Sequence, residues 1–137
     1  MNGFCDGAQE AEERTDVIVR LTPDIPRGCD IEQALETARL AVAFRHRGVD
    51  GLGLGGLEAQ FPPEPYEPAF AIAKDGGLGS VPHAGEAAGP AFIRGAIDAL
   101  TADRIRHGIR AIEDPLLLAD LVAERLVLDV CPVSPGK

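Results

Sequence analysis

Short apolar runs alternate with longer amphipathic stretches along the 137 residues. The β-branched run Val17-Ile18-Val19-Arg20-Leu21, closed by Pro23 and Pro26, reads as a strand and turn. Asp30 then precedes Ile31, Leu35, Ala38 and Val42, spaced as one helical face, with Gln33 completing a capping-box pattern and Gly48 ending the helix. Val49 to Leu54 reads as a strand, Phe61 to Pro68 as a Pro-rich loop, and Ala69 to Lys74 as a short helix. Gly79 to His83 is the next strand, followed by a helix marked by Phe92, Ile93, Ala96, Ile97, Ala99 and Leu100. Arg104 to His107 is a short strand. Asp114-Pro115 starts a helix as an N-cap with Pro at the first helical position, its buried face supplied by Leu117, Leu118, Leu121 and Val122. Leu126 to Cys131 is the last strand.

Five strands with helices between them predict a parallel α/β sheet with right-handed crossovers. His83 and His107 lie 24 residues apart, one strand-helix unit, which places them side by side at the C-terminal edge of the sheet, where sites in such folds form. A closed eight-stranded barrel takes about 250 residues. The expectation is a single partial β/α barrel domain over residues 1–137, an open curved sheet with helices on its outer face.

Composition narrows the partners. The net charge of −9 comes with no Lys/Arg cluster, which speaks against nucleic acid and anionic lipid as partners. Aromatic residues make up only 4%, and Trp is absent, so a broad ring-lined surface is not expected. The three cysteines, Cys5, Cys29 and Cys131, match neither a metal-binding pair nor a disulfide framework, which suits a reducing compartment. Met1 to Asp16 lacks the apolar stretch of a signal peptide, and no apolar run approaches the roughly 20 residues that span a bilayer. A soluble, cytoplasmic protein acting on a small molecule is expected.

The candidate chemistry lies in Val81-Pro82-His83-Ala84-Gly85-Glu86 and Arg104-Ile105-Arg106-His107-Gly108-Ile109-Arg110. Alone, the first segment also describes a polar strand end with a solvated Glu. Two histidines and a carboxylate on adjacent strand ends make a hydrolytic site plausible, with one group to ligate a metal, one to activate water and one to donate a proton.

Together with Gly51-Leu52-Gly53-Leu54-Gly55-Gly56-Leu57-Glu58, Gly89-Pro90, Glu113-Asp114 and Asp129-Val130-Cys131-Pro132, these segments resemble the adenosine deaminase family of the amidohydrolase superfamily, from about Thr15 to Ser134. The resemblance implies a TIM-type barrel and hydrolytic deamination of a 6-aminopurine nucleoside by zinc-activated water. It makes His83 a zinc ligand, Glu86 the proton shuttle to a ring nitrogen, His107 the histidine that orients and deprotonates water, and Gly56 a backbone contact to the purine. Adenosine, adenine and aminodeoxyfutalosine deaminases share this motif set.

The departures matter as much. The family's His-x-His triplet does not occur, and the zinc-ligating aspartate expected after an eighth strand is not found before Lys137, so His83 is the one expected ligand of four. Leu57 stands where the family commonly has Asp and Arg106 where it commonly has Gly, the latter expected to point outward; Pro135 follows Ser134 in place of Asn. A second expectation is therefore a truncated, inactive piece or interaction module. In-frame coding for His-x-His upstream and for the aspartate downstream would separate the two.

Other residues take plain readings. His46, between Arg45 and Arg47, is a surface residue at a helix end, where cations are favoured. Cys131 is expected to pack at a buried strand end. Gly51 to Gly56 fits no phosphate-loop pattern, and Glu10, Glu12 and Glu13 mark a solvated helix.

Overall fold

The computed structural model describes residues 1–131. Its elements run in chain order α1 (Asn2–Arg14), β1 (Asp24–Pro26), α2 (Ile31–Ala43), β2 (Gly51–Gly55), α3 (Glu67–Asp75), β3 (Gly79–Ser80), β4 (His83–Ala84), α4 (Pro90–Leu100), β5 (Arg104–His107), α5 (Pro115–Ala123) and β6 (Val127–Asp129). Pairing is parallel throughout, in two sheets ordered β1-β2-β3 and β4-β5-β6. β3 and β4 are successive parts of one run, and backbone bonds from Val81 to Leu52 (2.8 Å) and from Asp103 to Ser80 (2.9 Å) tie it to both neighbours. The expected five strand-helix units are therefore present, as an open portion of a parallel β/α barrel. Among the described residues β1 and β6 each pair on one side only.

The first strand departs from expectation. Val17 and Ile18, expected in it, are 58% and 76% exposed, and Leu21 makes only an isolated bridge to Val49. The strand forms three residues beyond the expected end, where Ile25 registers with Leu54 and is wholly buried. Tertiary pairing overrides the β-branched propensity of Val17 to Val19. Pro26 joins the strand instead of ending it. Pro23 and Arg27 bond to β2 through the Pro23 carbonyl and the Arg27 N–H, so by alternation the Pro26 nitrogen faces away from β2, where a missing donor costs nothing.

The helices start where the caps require. Asp30 accepts from the Gln33 N–H at 2.8 Å, and Asp114 accepts from the Leu116 and Leu117 N–H groups at 3.0 and 3.1 Å. α2 ends before a 3-10 turn, Arg45–Arg47, and Gly48 follows at φ 91°. The buried face of α2 is Ala34, Ala38 and Ala41, while Ile31 is exposed and Leu35 and Val42 are only partly covered. Small residues let α2 and α3 approach closely; a Cβ at Gly76, after α3, would stand 2.4 Å from Val42. In α5 only Leu117 and Leu121 are buried, whereas Leu118 and Val122 are exposed, contrary to expectation. That helix packs through a single i, i+4 pair on α4 and β5 residues including Ile93 and Ile105. Cys131, expected to be buried, is exposed just past the short β6. The departure at Pro135 lies outside the described residues.

Candidate active site at the C-terminal sheet edge

Strand alternation sorts the side chains that reach the strand ends. Ile25, Leu52, Leu54 and Ile105 face the helices. The other side carries Asp24, Gly53, Gly55, His83 and Arg106: His83 registers with Arg106, and Cβ atoms at Gly53 and Gly55 would run into Asp24. A Cβ at position 53 would lie 1.8 Å from Asp24 Oδ1, so a side chain there would have to push the Asp24 carboxylate aside. The expectation that Arg106 points outward is overturned. Its guanidinium turns to the same side as His83 and pairs with Asp24 at 2.8 Å, because it sits in register with His83 on that face.

His83 and His107 end adjacent parallel strands, and their rings are 5.3 Å apart between centroids, tilted by 35°. Alternation from Arg106 would send His107 to the helix side. His107 instead adopts φ 70°, a left-handed conformation costly for a non-glycine residue, and Gly108 follows at φ 67°. That backbone turn brings the imidazole back toward His83. His107 Nε2 lies 3.3 Å from Glu86 Oε2, and the two side chains are 13% and 33% exposed. Glu86 therefore shares the mouth with both histidines. The turn that places it needs Gly85, which has φ 73° and no space for a Cβ, since Ile93 Cδ1 would be 2.4 Å away.

His83 Nδ1 lies 3.0 Å from the Leu54 carbonyl oxygen and 3.8 Å from Asp24 Oδ2. Burial holds its imidazole below the ordinary histidine value; Asp24 and the Leu54 carbonyl oppose that shift, while Arg106 and His107 add to it. With Nδ1–H donated to the carbonyl, Nε2 is the nitrogen left for a ligand, the usual arrangement of a metal-bound histidine. Among the described residues no group of three His, Cys, Asp or Glu side chains is placed to hold a metal ion. His83 thus fits as a single ligand.

Gly56 directly follows β2 at the same edge, with φ 118°. Two further residues lie beneath the mouth. Glu58, 5% exposed, accepts from the backbone N–H groups of Gly85, Glu86, Ala87 and Ala88. Arg27, 7% exposed, donates to the carbonyls of His83 (2.7 Å) and Phe61. Burial pushes the Arg27 guanidinium pKa down, against the pull of Glu58. Nothing in the sequence marks Asp24 or Arg27; Glu58 falls within the glycine-rich motif without a role of its own.

A hollow of about 640 Å³ lies at the opposite, N-terminal end of β2, lined in part by Glu12, Arg20, His46 and Arg47. Arg20 pairs there with Glu12, and Arg47 with Asp6. His46 is exposed there, and Glu10, Glu12 and Glu13 lie on the solvated face of α1, as expected.

The family model for adenosine deaminase matches residues 1–136. The chain belongs to the adenosine deaminase family. Among curated relatives of this family, the aminodeoxyfutalosine deaminase of Acidothermus cellulolyticus is 49% identical over 97% of this chain and 39% of its own length. The adenine deaminase of Agrobacterium fabrum is 39% identical over 96% and 41%. Among solved structures, the adenine deaminase of Arthrobacter aurescens superposes with a TM-score of 0.88 at 35% identity, covering 96% of this chain and 40% of that one. A zinc-bound amidohydrolase from Burkholderia ambifaria gives 0.83 at 28% identity, covering 89% and 34%. The chain spans about two-fifths of the length of these deaminases.

Proposed function

We propose that this chain supplies the water-activating and proton-transfer groups of a site that hydrolyses the amine from a 6-aminopurine nucleoside, giving the 6-oxo compound and ammonia. The observation that carries the reading is the meeting of His107 and Glu86, 3.3 Å apart, beside His83. His107 takes a proton from the attacking water, and Glu86 gives one to a purine ring nitrogen as the water oxygen bonds to the carbon bearing the amine. His107 then passes its proton to the amine, which leaves as ammonia, while the hydroxyl formed from the water returns its remaining proton to Glu86 and becomes the 6-oxo group. His83, held by the Leu54 carbonyl, would be one ligand of a zinc ion. Zinc, when bound, would supply hydroxide at neutral pH by lowering the pKa of a coordinated water. Gly56, at the same edge, would offer its backbone to the purine. Aminodeoxyfutalosine is the first substrate to try, since the 49%-identical relative deaminates it by name. The free thiols Cys5, Cys29 and Cys131 favour a reducing, cytoplasmic setting.

A second reading, that these residues alone form an inactive piece or interaction module, is favoured by the single metal ligand and by the one-sided pairing of β1 and β6 among the described residues. The isolated chain should bind zinc below stoichiometry and release ammonia no faster than buffer, because a catalytic zinc takes about three protein ligands. Stoichiometric zinc with turnover would mean that another chain completes the site. The decisive test replaces the matching segment of the Acidothermus cellulolyticus enzyme with this chain. The folded graft should release ammonia from aminodeoxyfutalosine, and Glu86→Gln should lower kcat by about 10²–10⁴-fold. A folded, zinc-loaded graft inert toward aminodeoxyfutalosine, adenosine and adenine would refute the proposal.

A further inference from the structure

We propose that Glu58 and Arg27 form a buried clamp on residues 83–88 and act as positioning residues for His83 and Glu86. The consequence for catalysis rests on the roles proposed above; the clamp itself stands on geometry. The two carboxylate oxygens of Glu58 take four successive backbone donors: Gly85, Glu86 (3.1 Å), Ala87 (2.8 Å) and Ala88 (3.0 Å). A carboxylate offers about four acceptor positions, so this one is saturated by a single loop. Burying a charge is costly unless it is hydrogen-bonded. Gly85 and Ala88 are buried as well, so their N–H groups need a protein acceptor, and one nearly fully buried carboxylate supplies it for four consecutive amides and so fixes the loop.

Arg27 completes the grip from the other side of Ala84. One guanidinium nitrogen holds the His83 carbonyl and another the Phe61 carbonyl, just past the 3-10 turn that carries Glu58. Both residues are rooted in the strands. The Arg27 N–H donates to Gly55 at 2.7 Å directly after β1, and Glu58 lies three residues beyond β2. A fixed frame thus sets the backbone of His83 and of Glu86 together. Loss of the clamp would loosen the Gly85 turn that aims Glu86 at His107. Misplacement by about 1 Å is enough to cost on the order of 10²-fold in rate.

Hydrogen exchange followed by NMR tests the clamp in the unsubstituted 137-residue chain, independently of any activity. The amides of residues 85–88 should be protected as strongly as those in the middle of α4, although they lie in a loop. Exchange at the rate of an open loop would overturn the proposal. Glu58→Gln, which turns one acceptor into a donor facing those amides, should raise exchange at residues 85–88 at least about tenfold more than in α2. If that variant does not fold, Arg27→Lys, which keeps the charge but cannot hold both carbonyls, should broaden the His83 ring resonances; unchanged resonances would count against the clamp. In an active graft, Glu58→Gln should lower kcat by about 10–10²-fold with KM within about twofold. An unchanged kcat would remove the positioning role while leaving the deaminase reading intact. A graft inactive from the start would refute that reading and leave the exchange result standing.

Discussion

The helix-facing side of the sheet carries Ile25, Leu52, Leu54, Ala84 and Ile105, all buried, whereas the other side carries Asp24, the three glycines of β2, His83, Arg104, Arg106 and Asp129, with Val81 and Val127 among them. The first side is held by non-directional burial, about 25 cal/mol for each Å² of apolar surface removed from water. The second is held by directed pairs, Arg106 on Asp24 and Arg104 on Asp129, with glycine where a side chain would collide. Closed barrels of this type fill their interior with branched apolar residues. Here the strand wall beside the histidines is charged and slender. Burial and the candidate site are thus divided between two faces of the same five strands, and alternation keeps them apart except at His107, which a left-handed backbone turn brings across.

The sharpest way to break this comparison is to remove apolar volume from the helix side. Ile105→Ala should cost about 2–5 kcal/mol in urea denaturation, a large share of the roughly 5–15 kcal/mol that holds a domain together. A loss below about 1 kcal/mol would mean that β5 is not packed as described. On the polar side, Gly53→Ala should cost about 1–3 kcal/mol, since its methyl would fall on the Asp24 carboxylate. Adding Asp24→Ala should recover most of that loss. Two penalties that simply add, within about 0.5 kcal/mol, would show that Asp24 does not occupy that space.

Removing a charge from the polar side should matter less. Arg106→Met should change stability by about 1 kcal/mol or less, because the pair with Asp24 is about a third exposed and screened by solvent. A loss of 3 kcal/mol would place the pair in a much drier setting. The smallest effect belongs to Asp114, the cap of α5, at the fringe of the outer layer. The Leu117 N–H and Arg94 hold its carboxyl below the usual range. Its contribution is therefore present above the unfolded value near pH 4 and fades as pH falls through the lower folded value. Asp114→Asn should lower a stability-against-pH curve slightly at pH 7 and meet the parent curve at low pH, which flattens the acid limb.

Much of this layout is legible in the residue order. The caps Asp30 and Asp114, the 24-residue step from His83 to His107 and the apolar spacing between them are local signals, and they recover five parallel units and one sheet edge. What the residue order leaves open depends on partners distant along the chain. The first strand starts at Asp24 because β2 offers a register there, not because Asp-Ile-Pro favours extension. Arg106 reaches Asp24 across 82 positions, and Glu58 reaches the amides of residues 85–88 across 27 to 30. His107 escapes the alternation that its neighbours obey through a backbone angle that residue type alone disfavours. Residue order by itself determined that His83, Glu86 and His107 stand at one edge of the sheet. Only the tertiary structure decided how they are aimed, because aiming depends on a backbone angle and on distant carboxylates and guanidinium groups that have no period in the chain.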